Sequence, residues 1–159
     1  RIGSKSRIAD KITPHFPEHR TYVELFFGAG GLFFNKKRAK YNILNDSDDD
    51  VFNYWTVLQN NKAELLDMLE IMPITESLLK HWNKNKETEP IKKALRFLFL
   101  SNFGLMGKPS TLRFQPSNQK AVIIKKALRD IGNCMFMCVD FRAALSKLGD
   151  SVKQDTFIY

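Results

Sequence analysis

The sequence predicts an α/β chain: a doubly wound sheet that is interrupted by a mainly helical insertion and then resumes. Three observations predict it. A run of bulky strand formers, Tyr22 to Phe27, ends in the tight turn Gly28-Ala29-Gly30-Gly31. A second short strand, Asn42 to Asn45, ends in Asp46 just before a helix. Strand character returns in Met135 to Val139 and Thr156 to Tyr159, after a long stretch whose apolar residues recur at helical spacing.

In chain order, Ile8 and Ile12 stand at helical spacing before Pro14, which predicts a short helix over 4–12 closed by proline. The strand over 22–27 and its glycine turn lead into a second helix, predicted over 32–40. Asp48, Asp49 and Asp50 suit the N-terminus of a helix reaching about Leu58, where negative charge meets the helix dipole. Leu65, Leu66, Met68, Leu69 and Met72 form the apolar face of a further helix stopped by Pro73, and Leu78, Leu79 and Trp82 mark the next. Residues 83–90 read as a polar connector. Ile91, Ala94, Leu95 and Leu98 then repeat at 3.6 spacing, with Lys92, Lys93 and Arg96 on other faces. Gly104, Gly107, Pro109 and Pro116 break regular structure, leaving a loop or small hairpin around 108–119. Ile124, Ala127, Leu128 and Ile131 predict an amphipathic helix ending near Gly132. The run Met135 to Val139 reads as a buried strand ending at Asp140, and a short helix follows over 141–148.

A hydrophobic content of 43% over 159 residues suffices for a substantial core and argues against a disordered chain. The formal net charge of +8 favours a polyanionic partner. Cys134 and Cys138 lie in an apolar run and read as reduced core residues; no Cys and His spacing suggests a metal site. His15, His19 and His81 have no partner pattern, and Trp55 and Trp82 fit helix faces as core. Charged and polar residues interrupt every apolar stretch before it reaches the roughly 20 residues of a membrane span, so a cytoplasmic protein is expected.

The chemistry concentrates at the strand ends. A glycine turn at the carboxyl end of a first strand lets bare backbone approach a ligand, the position where open α/β sheets bind them. Phe33 stands where the dinucleotide fingerprint G-x-G-x-x-G has its third glycine, which disfavours nicotinamide and flavin cofactors, and no Gly-Lys-Ser/Thr of a phosphate loop follows. Asp46, closing the second strand, is placed to accept hydrogen bonds from ribose hydroxyls. Taken singly, each feature has an equally good structural account: a turn, and an acid capping the next helix.

Three stretches occur together in order: Arg1-Ile2-Gly3-Ser4-Lys5 before a helix, Tyr22-Val23-Glu24-Leu25-Phe26-Phe27-Gly28-Ala29-Gly30-Gly31, and Asn45-Asp46 before a helix. With Phe97 to Gly107 and the pair Asp140-Phe141, they resemble the adenine-specific DNA methyltransferases of the Dam-like (D12) class over nearly the whole chain. The resemblance implies a Rossmann-like methyltransferase sheet using S-adenosylmethionine. It places Lys5 near the cofactor carboxylate, Glu24, Phe26, Phe27, Gly28, Ala29 and Gly30 around the cofactor, and Asp46 on its ribose. Arg1 falls at a pocket-lining position where the family often has an aromatic, and Asp140 and Phe141 fall where the adenine ring is held. As a strand-ending acid, Asp140 also suits capping of the next helix.

The resemblance further implies a cofactor core over 1–82, a target-recognition insertion over 83–133 and a return to the sheet over 134–159. Within the insertion, Lys92, Lys93, Arg96, Lys108 and Arg113 are candidate contacts to double-stranded DNA, with Asn102, Lys108 and Arg113 nearest the bases. The family's Asp-Pro-Pro-Tyr tetrapeptide, which holds a flipped-out adenine, is not in the sequence. Asp155-Thr156-Phe157-Ile158-Tyr159 resembles its lead-in, so both ends read as trimmed and the catalytic residues are expected beyond Tyr159. The alternatives are a non-catalytic DNA-binding protein on the same sheet and a nucleotide-dependent oxidoreductase. The oligomeric state is left open.

Overall fold

The computed structural model describes residues 5–105, 108–112, 119–149 and 155–159. In chain order its elements are α1 (Ala9–Ile12), β1 (Thr21–Glu24), β2 (Tyr41–Asn45), α2 (Asp49–Asn60), α3 (Lys62–Ile71), α4 (Glu76–Lys84), α5 (Pro90–Phe103), β3 (Gly104–Leu105), β4 (Lys108–Leu112), α6 (Gln119–Ala127), β5 (Cys134–Met137), α7 (Phe141–Leu148) and β6 (Thr156–Ile158), with short 3₁₀ turns between some of them. They form two compact units: a sheet unit of residues 5–52 and Ile131–Tyr159, and a helical unit of Asn53–Asp130.

In the sheet unit four strands run parallel in the order β5-β2-β1-β6. The chain winds outward from β1 to β2 to β5, then returns to the other side of β1, as the doubly wound expectation requires; the point where the direction reverses is where such sheets bind ligands. Val23 pairs with Ile43 on one side and Ile158 on the other. Successive side chains alternate between faces, so Val23 and Leu25 pack with Ala144 and Leu148 of α7, while Tyr22 and Glu24 point the other way. On that second face the rings of Tyr22, Phe33, Phe16 and Phe157 lie together, Phe16 and Phe157 with centroids 4.6 Å apart.

The sequence prediction needs four corrections here. The helix expected over 32–40 is a single 3₁₀ turn, Phe33–Asn35, followed by extended backbone at Lys36. Leu32, Phe33 and Phe34 are consecutive, and Lys36, Lys37, Arg38 and Lys40 follow, so no apolar stripe of period 3.6 exists to hold a helix to the sheet. Met135, on the edge strand β5, is 61% exposed even though Ile43, its register partner, and Met137, on the same face, pack against the core under α7. α6 stops at Ala127; it buries Ile123 and Ala127, leaving Leu128 exposed. Pro14, expected to end the first helix, instead sits within a 3₁₀ turn that continues from α1.

In the helical unit, α3 packs on α5 and α6, and α4 packs on α5 and the antiparallel β3–β4 hairpin. Ile91, Ala94, Leu95 and Leu98 form the buried stripe of α5 that the periodicity predicts, and Phe99 and Phe103 extend it. Trp82 meets Phe99 edge-on at 5.2 Å, and Phe99 lies 5.4 Å from Phe103. Helix ends are closed by side chains. Thr75 Oγ1 accepts from the Leu78 amide at the start of α4, and the Glu89 carboxylate accepts from the Ile91 and Lys92 amides at the start of α5. Arg96 Nε donates to the Trp82 and Asn85 carbonyls at the end of α4, and Lys120 Nζ donates to the Glu70 and Met72 carbonyls at the end of α3.

Candidate ligand-binding site

The carboxyl ends of β1, β2 and β5 are tied together by two adjacent side chains of one strand. Asn45, buried at 1% exposure, donates from Nδ2 to the Leu25 and Val139 carbonyls and accepts the Val139 amide on Oδ1 at 3.3 Å. Its backbone carbonyl takes the Phe27 amide at 2.8 Å. Asp46 then bridges to the glycine turn: Oδ2 accepts the Gly28 amide at 2.7 Å, and Oδ1 accepts the Asp48 amide at 3.0 Å. A carboxylate has about four acceptor positions. Two are filled, so the half-buried Asp46 keeps acceptor capacity while holding the turn in place.

The turn itself demands glycine. Gly28 and Gly30 have φ of 52° and 66°, in the left-handed region that side-chain-bearing residues avoid. A Cβ at Gly30 lies 2.5 Å from the Phe34 ring and 2.9 Å from Phe27, so the turn is closed on that side by aromatic packing. At Gly28 the nearest atom to such a Cβ is Asp46 Oδ2, at 3.9 Å. Bare backbone and carboxylate therefore face the same point.

Aromatic and acidic groups border this edge. Phe26 is 70% exposed, an unusual state for a phenylalanine in a folded core segment, and its ring lies 5.7 Å from that of Phe141. Asp140 Oδ1 accepts the Arg142 amide at 2.9 Å and caps α7, the structural role the sequence allows for it. Ala29 is exposed beside the turn, and Phe27 is buried under it.

Glu24 is of a different kind. It is 4% exposed, on the sheet face opposite α7, and accepts a hydrogen bond from Tyr22 Oη at 2.9 Å. Burial pushes its carboxyl up to about 7, against the pull of the Tyr22 hydroxyl and of Lys5 and Lys36. Lys36 Nζ sits 4.1 Å from the Tyr22 ring centre and is brought down to about 8, first by burial and then by the Arg38 charge, with Glu24 opposing. Burial, and secondarily the Glu24 charge, raises the Tyr22 phenol far above its ordinary range. Lys5 is exposed and lies 6.0 Å from the Tyr159 ring.

The structure thus brings Phe26, Gly28, Ala29, Gly30, Asp46, Asp140 and Phe141 to one edge of one sheet. Phe27 and Glu24 support that edge from inside, and Lys5 contributes charge toward Glu24. Arg1 lies outside the described residues. Asn45, Tyr22 and Lys36 were not singled out by the sequence as site residues. A polar residue in an otherwise apolar strand is the signal that marks Asn45. Nothing in the spacing marks the Tyr22–Glu24 bond except their alternation onto one face.

Of the DNA-contact candidates, Lys92 is exposed and Lys93 half-buried on α5. Arg96 is engaged on the α4 carbonyls, and Asn102 Nδ2 turns back to the Leu98 carbonyl of its own helix at 2.8 Å. Lys108 opens β4 and is placed by its backbone, and Arg113 lies outside the described residues. Among the described residues no three His, Cys, Asp or Glu side chains are grouped to hold a metal ion. No helix among them is long and apolar enough to cross a membrane. Cys134 and Cys138 are thiols not joined in a disulfide, the first buried and the second half-buried.

Residues 2–111 match the family described as D12 class N6 adenine-specific DNA methyltransferase. The chain belongs to that family. It is 28% identical over 113 residues to the DNA adenine methylase of Haemophilus influenzae, a match covering 66% of this chain and 39% of the relative. It is also 28% identical over 111 residues to the DNA adenine methylase of Escherichia coli K12 and 27% identical over 111 residues to that of Vibrio cholerae El Tor, each match covering 66% of this chain and 40% of the relative. The chain spans about two-fifths of the length of the curated relatives it matches. Lys5, Glu24, the glycine turn and Asp46 all lie inside the residues that define this D12 methyltransferase membership, whereas Asp140 and Phe141 lie beyond them.

Proposed function

We propose that this chain is the cofactor-binding part of a DNA adenine N6-methyltransferase and that S-adenosylmethionine binds at the carboxyl edge of β1, β2 and β5. The carrying observation is the bridge from Asp46 to the Gly28 amide, which aims a carboxylate with spare acceptor capacity at a glycine turn. In this reading Asp46 accepts the two ribose hydroxyls, Phe26 and Phe141 flank the adenine ring, and the turn leaves room for the methionine portion. Lys5 offers a positive charge to the cofactor carboxylate. When bound, the cofactor supplies an electrophilic methyl group; the residues here bind and orient it, which is what direct transfer to an adenine amine needs. Lys92, Lys93 and Lys108 are proposed as phosphate contacts within a target-recognition insertion, holding double-stranded DNA while the target adenine leaves the stack.

Calorimetric titration of the full-length protein with S-adenosylmethionine tests this. Asp46→Ala removes the ribose acceptor but also releases the Gly28 amide, so Phe26→Ala, which leaves the turn's hydrogen bonds alone, is measured beside it. Binding weakened at least tenfold by both substitutions supports the site. A folded wild-type protein that binds no S-adenosylmethionine overturns it.

A further inference from the structure

The opposite end of the same strands carries a feature that cofactor binding does not use. Arg20 immediately precedes β1, and Lys40 immediately precedes β2. Their cationic groups lie 5.7 and 5.4 Å from the ring centre of Tyr41, the first residue of β2, which is 50% exposed. The Arg20 carbonyl accepts the Tyr41 amide at 3.1 Å, so the two strand starts are locked side by side. The basic run Lys36-Lys37-Arg38 leads into this edge, and Asn42 Nδ2 fixes its end by donating to the Ala39 carbonyl. Arg20, Lys37 and Lys40 are all exposed. The Asp155 carbonyl accepts the Arg20 amide at 2.8 Å, and among the described residues no acid forms an ion pair with Arg20, Lys37 or Lys40. From residues 25 to 45 the sequence has no acid at all.

We propose that this basic and aromatic edge is a second, sequence-independent contact for the phosphate backbone of duplex nucleic acid, separate from the target-recognition insertion. Guanidinium and ammonium groups fanned around an exposed phenol match a line of phosphates, and a contact made only to phosphate carries no sequence preference. Among the described residues the exposed apolar groups at this end are Tyr41, flanked by cations, and Met135 of β5, too small a surface to enter a lipid layer. Strands of four to five residues separate this end from the Asp46 edge by about 15 Å, so the two can be perturbed independently.

The proposal goes beyond cofactor binding and is tested apart from it. The full-length protein is titrated with a fluorescent duplex made only of G·C pairs, which offers no adenine, across a salt series. The variant Arg20→Gln/Lys37→Gln/Lys40→Gln is compared with wild type. With three phosphate contacts removed, affinity at low salt falls at least tenfold and the slope of log K against log salt drops by about 3, while S-adenosylmethionine affinity is unchanged. The variant Arg20→Lys/Lys37→Arg/Lys40→Arg keeps most of the binding. Duplex affinity and slope equal to wild type in the Gln variant overturn the proposal, as does loss of binding to phosphatidylserine vesicles with duplex binding intact. Failure to bind S-adenosylmethionine sinks the cofactor reading alone.

Discussion

In the sheet unit, buried polar side chains bind strand ends to one another and leave acceptor capacity at the surface; in the helical unit, the same kinds of group close helix ends. Asn45 and Asp46 illustrate the first use, and Glu89, Arg96 and Lys120 the second. The difference follows from geometry. A parallel strand has its backbone groups satisfied by its neighbours, so a polar side chain at its end is available for a ligand. A helix leaves four amides and four carbonyls unpaired at its ends, and nearby polar side chains are drawn to them. Charge on the sheet edge is therefore free to recognise, whereas part of the charge on the helical unit already has a structural partner.

The largest expected effect breaks the apolar side of this comparison. Trp82 is buried against Phe99, and its indole Nε1 donates to Glu87 at 2.8 Å. Trp82→Ala is expected to cost about 3–5 kcal/mol by cavity formation. Urea unfolding measures the loss, and hydrogen exchange locates it: amides of α4 and α5 exchange faster while those of β1 and β2 keep their protection. Equal acceleration in the strands means that the two units do not hold themselves together separately.

A smaller effect sharpens the polar side. Burial pushes the Glu24 carboxyl up to about 7 in the folded protein, from an ordinary value of 4.5. Between those values the folded state binds more protons than the unfolded one, so stability is greatest at low pH and falls as pH rises through 7. The loss amounts to about 3 kcal/mol, from roughly 1.4 kcal/mol per pKa unit. Glu24→Gln removes the charge and keeps the shape. Its unfolding midpoint in urea is therefore expected to change little between pH 5 and pH 8, while that of wild type falls. A wild-type midpoint that is flat over that range means Lys5 and Lys36 neutralise the carboxylate fully.

The sheet was legible from the sequence because strand formers, glycine turn and strand-end acid are local signals, and the family resemblance joined them. The helix stripe of α5 was equally plain, since Ile91, Ala94, Leu95 and Leu98 recur on one face. What could not be read locally was set by partners distant in the chain. Met135 looked buried until β5 proved to lie at the sheet edge. The segment 32–40 looked like a crossover helix because connections between parallel strands usually are helical, although its own residues carry no apolar stripe. In the site, Phe26, Asp46 and the glycines were marked by type and spacing. The Tyr22–Glu24 bond and the fourfold use of Asn45 depend on β2 lying between β1 and β5, which no spacing announces.

The smallest expected effect decides whether basic residues of the helical unit should be counted as DNA contacts at all. Lys92 and Arg96 are one turn apart on α5, yet Lys92 is exposed and Arg96 holds two carbonyls at the end of α4. Arg96→Ala leaves the half-buried Trp82 carbonyl and the exposed Asn85 carbonyl without this donor and is expected to cost about 1 kcal/mol of stability. Lys92→Ala should change stability by less than about 0.5 kcal/mol, as surface substitutions do. For duplex DNA the order reverses: Lys92→Ala lowers the slope of log K against log salt by about 1, and Arg96→Ala leaves it unchanged. A slope reduced as much by Arg96→Ala as by Lys92→Ala means the guanidinium serves helix and phosphate together through its remaining N–H donors. Structural engagement would then not disqualify a residue from recognition, and the division between the two units would hold for their strand and helix ends but not for their charge.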